Sequence, residues 1–124
     1  MKPISHPHPS DVTLAMVLHA LADPTRLALL LAIIEQGGPV TTPELAPQQA
    51  TSSVHEHLAV LRQAGLIWTR KGSASLEHSD RTPDHAGRYG AVVEAIVIAS
   101  RCETPLAGSS ARRQAEMLWN HSTR

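Results

Sequence analysis

The segment Thr51-Ser52-Ser53-Val54-His55-Glu56-His57-Leu58-Ala59-Val60-Leu61-Arg62-Gln63-Ala64-Gly65-Leu66 reads as a helix with both ends marked. Val54, Leu58 and Leu61 are spaced four and three apart and so fall on one face. Thr51 or Ser52 supplies a hydroxyl for the free amides at the start, and Gly65 is placed to end the helix in the left-handed conformation that other residues resist. The helix should run from Ser52 to Ala64. Behind it, Leu66 to Arg70 and Ala74 to His78 flank Lys71-Gly72-Ser73, two short extended runs around a glycine turn, which predicts a β-hairpin.

Working back from that helix, Thr42-Pro43-Glu44 gives a cap followed by proline, but Pro47 stops any helix there within about a turn. Ala22-Asp23-Pro24-Thr25-Arg26 is a stronger start, with Asp23 as cap and Pro24 in the first helical position. Leu27, Leu30, Leu31 and Ile34 then mark a buried stripe that Gly37-Gly38 terminates. Ser10 or Asp11 caps a first helix carrying Leu14, Leu18 and Leu21. Residues 1–9 hold Pro3, Pro7 and Pro9, which deny the backbone helical donors, so they should form an extended, mobile arm bearing His6 and His8. Past Pro83, a stripe of Tyr89, Val92, Val93, Ile96 and Val97 predicts a last helix to about Arg101, leaving residues 102–124 as a polar tail.

The expected fold is mainly α: three helices, the third stunted, then a fourth helix, a hairpin and a fifth helix, all in one domain over residues 10–101. Helix, short helix, turn, capped helix, hairpin is the order of a helix-turn-helix with a wing, whose second helix enters the major groove. Composition agrees, since a chain of 124 residues with no Phe, two Trp and one Tyr must build its core from Leu, Ile, Val and Ala, which suit packed helices. Lys plus Arg number 11 and Asp plus Glu number 11, so any attraction to DNA must come from local segregation of charge. No run approaches the ~18 apolar residues of a membrane span, and none reads as a signal peptide. The cytoplasm is the expected location.

Three stretches carry a resemblance to the ArsR/SmtB family of bacterial transcriptional regulators: Leu21-Ala22-Asp23-Pro24-Thr25-Arg26-Leu27, Glu44-Leu45-Ala46, and Ser53 through Leu66. It covers about residues 14–98. The resemblance implies a homodimer joined through the first and last helices, presenting two recognition helices about one DNA turn, ~34 Å, apart on a two-fold related, double-stranded operator. In that setting Ser52, Ser53, His55 and Glu56 face base edges or phosphates, and Arg62, Arg70 and Lys71 meet the backbone. The chain departs from the family in a shorter turn between Ala46 and Ser52 and in Glu56, a carboxylate that repels phosphate yet can accept from cytosine.

Metal sensing in the family often uses cysteine pairs near the third helix, but the matching stretch here is Gly38-Pro39-Val40-Thr41-Thr42-Pro43-Glu44-Leu45, and Cys102 stands alone. A second family site, on the last helix, is not reproduced: Asp84-His85 sits near its start, but the spacing differs and Val97 to Ser100 offers no second pair. The chain's own donors are His6 and His8 on the arm and Glu77, His78, Asp80, Asp84 and His85 after the wing. Imidazole with carboxylate suits nickel or zinc, and His78 and Asp80 share one side of a strand. The expected metal set is therefore His6, His8, His78, Asp80, Asp84 and His85. Against this, polar loops rich in His and Asp are commonly plain solvated turns.

No nucleophile with its base, glycine-rich phosphate loop or paired carboxylates is present, so the chain should not be an enzyme. Two readings stay open beside a metal-responsive regulator. One is a regulator that senses a non-metal effector. The other is a winged-helix module that has lost DNA binding and pairs with a second regulatory protein.

Overall fold

Three of the helices begin where the sequence supplies an oxygen for their unpaired amides. Thr13 Oγ1 accepts from the Met16 amide at 3.2 Å and starts α1 (Leu14–Leu21). Asp23 Oδ1 accepts from Thr25 and Arg26 at 2.8 and 3.1 Å and starts α2 (Pro24–Gln36). Thr41 and Glu44 cap each other reciprocally to start the four-residue α3 (Thr42–Leu45). The first cap is thus Thr13 and not Ser10 or Asp11, because Pro9–Asp11 form a separate turn of 3-10 helix, with His8 Nδ1 accepting from the Ser10 amide.

A computed structural model describes residues 4–47 and 51–103, and the chain divides into two compact units, residues 1–90 and 91–124. The first unit continues with α4 (Thr51–Gln63), β2 (Ile67–Lys71), β3 (Leu76–Asp80), a 3-10 turn (Thr82–His85) and the start of α5 (Ala86–Glu103). Residues 91–103 of α5 are the described part of the second unit, and the expected tail lies almost wholly outside the described residues. A strand that the sequence does not announce, β1 (Val40–Thr41), completes an antiparallel sheet of order β1-β3-β2. Val40 pairs with His78 and Thr69 with His78, so the wing is stitched to the residues just before α3.

Val54, Leu58 and Leu61 of α4 are buried as their spacing requires, on a helix that packs against α1 and α2, where Val17, Leu30 and Ile33 are buried too. Each such side chain contributes about 1.5–3 kcal/mol on burial. Two stripes differ from expectation. On α1 the buried residues are Val17, Ala20 and Leu21, while Leu14 and Leu18 remain 43% and 45% exposed. On α2 they are Leu29, Leu30 and Ile33, because a helix that is apolar nearly all round gives periodicity little to choose between. Among the described residues no single helix is long and apolar enough to cross a membrane.

Candidate nucleic-acid interface

Two fastenings set the position of α4. At its side, Arg26 sends Nε to the Ala20 carbonyl at 2.8 Å, Nη2 to the His19 carbonyl at 3.1 Å and Nη1 to His57 Nδ1 at 3.4 Å. One guanidinium therefore satisfies the carboxyl end of α1 and ties it to α4. Backbone hydrogen bonds from Arg26 and Thr25 hold the Asp23 carboxyl below the usual carboxylate range, so it remains an anion at the start of α2. The Ala-Asp-Pro-Thr-Arg segment is thus a joint between three helices, and His57 is a structural partner within it.

At its end, α4 stops in a paired closure: the Leu66 amide donates to the Leu61 carbonyl and the Gly65 amide to the Arg62 carbonyl, both at 3.0 Å. This needs Gly65 at φ 77°. His85 Nε2 donates to the Gly65 carbonyl at 2.7 Å and the Arg81 amide to the Leu66 carbonyl at 3.0 Å, so the chain leading into α5 clamps the junction of α4 and the wing.

Of the residues expected at DNA, Ser52, Ser53 and Glu56 lie exposed along α4, and Arg70 and Lys71 are exposed on the wing. Arg70 Nε is paired with Glu77 Oε1 at 2.9 Å, directly across the strands. His55 is half-buried beside a cleft of about 470 Å³ lined by Thr42, Pro43, Ala46, Val54 and Leu76. Arg62 departs from expectation. It lies four residues past Leu58 and so follows the buried stripe, half-buried, with Nε out of reach of water and without a partner among the described residues. Among the described residues of α4 the fully exposed side chains are therefore Ser52, Ser53, Glu56 and Gln63, none of them a cation.

The six expected metal donors do not converge, and each has another bond. His6 Nε2 accepts from the Thr69 amide at 3.0 Å, and His8 caps the 3-10 turn. Asp80 Oδ1 takes the Thr82 amide and hydroxyl at 2.8 and 2.7 Å, Asp84 meets Arg81 at 3.3 Å, and His85 holds Gly65. His78 is buried with both nitrogens engaged, Nε2 by Thr42 Oγ1 at 2.8 Å and Nδ1 by Thr69 Oγ1 at 3.0 Å. Burial, with the charges of His55 and Arg62, lowers its pKa to about 4, which keeps it neutral. The strand periodicity that puts His78 and Asp80 on one side holds, but that side turns His78 into the core. Among the described residues no group of three or more His, Cys, Asp or Glu side chains is placed to hold an ion.

Residues 21–70 match a family model described as a helix-turn-helix domain. No curated protein matches the chain. Among solved structures it is similar to reduced HlyU from Vibrio cholerae, with 24% identity, TM-score 0.56, and coverage of 71% of this chain and 85% of that one, a likeness of fold alone. It is similar to an ArsR family transcriptional regulator, with 26% identity, TM-score 0.54 and coverage of 77% and 97%. The chain is likewise similar to NolR from Sinorhizobium fredii, with 27% identity, TM-score 0.53 and coverage of 77% and 96%.

Proposed function

We propose that this chain, a winged helix-turn-helix protein of the ArsR/SmtB family, regulates transcription by laying α4 into the major groove of an operator while β2 and β3 meet the adjoining backbone. The observation that carries this is the mounting of α4, fastened at Arg26–His57 on one side and at Gly65 on its end, with Ser52, Ser53 and Glu56 outward and the wing leading directly from it. A rigid helix with a polar outward face is what groove reading requires. The protein works as a homodimer, a reading supported by Leu14 and Leu18 exposed on α1 and by Ile98 at 53% exposure on α5. As a regulator of operator DNA it belongs in the cytoplasm.

A second reading has its own observation. Because α4 shows no cation on its outward face, a winged-helix module that pairs with another protein also suits this surface. Equilibrium binding to duplexes selected from a random pool, repeated across a salt series, separates the two. DNA binding weakens steeply as salt rises, and apolar pairing does not.

A nickel or zinc response is less well supported, since His6, His8, His78, Asp80, Asp84 and His85 each have a protein partner. Calorimetric titration of both metals into wild type and His78→Ala tests it, and heat that disappears in the variant would restore His78 as a ligand. A non-metal effector has better support in the cleft between α3, α4 and β3, whose apolar lining with His55 and Ser75 suits a small, mostly apolar molecule.

A further inference from the structure

β2 is an edge strand in the order β1-β3-β2, so the amides along its outer side have no neighbouring strand to receive them. The N-terminal arm receives one. His6 Nε2 accepts from the Thr69 amide at 3.0 Å, and the imidazole lies against Trp68 with centroids 5.0 Å apart. Arg81 covers the Trp68 ring at 4.1 Å and sends Nη2 to the Pro7 carbonyl at 2.9 Å. Arg88 donates to the Pro9 carbonyl and Tyr89 to the Val12 carbonyl, each at 2.9 Å, and Val12 is fully buried. The arm expected to be free between residues 4 and 9 is thus held by one imidazole and, with Val12, by three of its carbonyls.

The same threonine faces inward as well. Thr69 Oγ1 meets His78, and His78 meets Thr42 at the start of α3. Thr69 therefore joins the arm on one side to the helix-turn-helix on the other.

We propose that the arm is part of the DNA-binding apparatus, with neutral His6 as the positioning residue that holds β2, and hence Arg70 and Lys71, in place relative to α4. This rests on the DNA-binding reading above. The bond needs a lone pair on Nε2, and a proton there turns the acceptor into a donor facing the Thr69 N–H. The charged groups around His6 are Arg81 after β3, Arg62 from α4, and Arg70 on β2 paired with Glu77 on β3. Burial first, then Arg81 and Arg62, lowers the His6 pKa below 6.5. The clasp is therefore fully formed above that value and opens as pH falls through the lower, folded value.

The test uses the full chain carrying Trp119→Phe, so that Trp68 is the sole indole. Wild-type His6, His6→Gln and His6→Ala are compared between about pH 5 and about pH 7.5, the range in which histidine titrates. Thr69 amide exchange and Trp68 fluorescence report the clasp, and the Kd for a selected duplex reports DNA binding. Glutamine can accept from Thr69 but does not titrate, so His6→Gln should keep the neutral-pH affinity and show a smaller acid step than wild type in all three signals, the remainder coming from His78. His6→Ala should bind about five- to tenfold more weakly at neutral pH, the worth of one ordinary hydrogen bond, with Thr69 exchange accelerated and its melting transition intact. Wild-type affinity in a folded His6→Ala whose Thr69 amide is deprotected would overturn the positioning role. So would an acid step in His6→Gln equal to that of wild type. If the wild type binds no duplex at neutral pH while Thr69 is protected by His6, the DNA-binding reading fails and the positioning role with it, although the clasp exists.

Discussion

Gly65 and Gly37 form a matched pair for weighing how tightly the end of α4 is built. Both have positive φ, 77° and 72°, so changing either to alanine carries the same left-handed backbone cost of roughly 1–2 kcal/mol. Their surroundings differ. A Cβ at Gly37 meets nothing within 4 Å, whereas at Gly65 it would lie 2.7 Å from Val12 Cγ2 and 2.8 Å from His85 Nε2. Relieving that overlap in a packed interior costs about 1–3 kcal/mol, and moving His85 off the Gly65 carbonyl costs about 1 kcal/mol more. Gly37→Ala should therefore destabilise by about 1–2 kcal/mol and Gly65→Ala by roughly 3–6 kcal/mol. Urea unfolding of both variants measures this, and since each change alters the unfolded chain alike, their difference isolates the contacts at Gly65. Values within about 0.5 kcal/mol of each other, the ordinary scatter for independent sites, would show that Val12 and His85 do not clamp this junction.

His78, neutral in the fold with its pKa lowered to about 4, contributes stability that is complete above 6.5 and is lost as pH falls toward 4. Acid unfolding in a His6→Gln background should show a loss of up to about 3 kcal/mol over that range, and His78→Gln should be less stable at neutral pH but much flatter with pH; an unchanged pH slope would contradict the buried bridge to Thr42 and Thr69. Glu77→Gln releases Arg70 from its exposed pair and should steepen the salt dependence of duplex binding by about one phosphate's worth, read from a salt series; an unaltered slope would remove Arg70 from the backbone contact. Glu56→Gln removes the carboxylate from the outward face of α4 and should raise affinity for all duplexes while moving base preference from cytosine toward adenine. Selection from a half-site library checks it, and identical selected sequences would place Glu56 away from the bases.

Local chemistry explains what could be read without coordinates. Asp23-Pro24, Thr42-Pro43-Glu44, the Val54/Leu58/Leu61 spacing and Gly65 each act within a turn or two of chain, so they mark helix starts, a buried face and a stop wherever the protein folds, although the cap of α3 is Thr41, one residue before the expected Thr42, because it is Thr41 that Glu44 reaches. Sequence does not distinguish Thr13 from Ser10 and Asp11, since three nearby oxygens compete for the free amides, and the 3-10 turn Pro9–Asp11 takes the first two out of contention. β1 was missed because two residues carry no periodicity, and Val40–Thr41 is a strand only because β3 arrives beside it. The charge of Arg62 is legible in the sequence but its half-burial is not: it follows Leu58 by one helical turn, and packing there takes its Nε out of reach of water.

The sequence alone determined the order of the five helices and the hairpin, and with it the winged helix-turn-helix and the outward placement of Ser52, Ser53 and Glu56, because periodicity and capping are short-range. Tertiary structure alone decided what the histidines do. His6, His57, His78 and His85 find their partners 63, 31, 36 and 20 residues away along the chain, and whether an imidazole binds a metal, accepts an amide proton or donates to close a helix depends on which groups the fold brings to its two nitrogens.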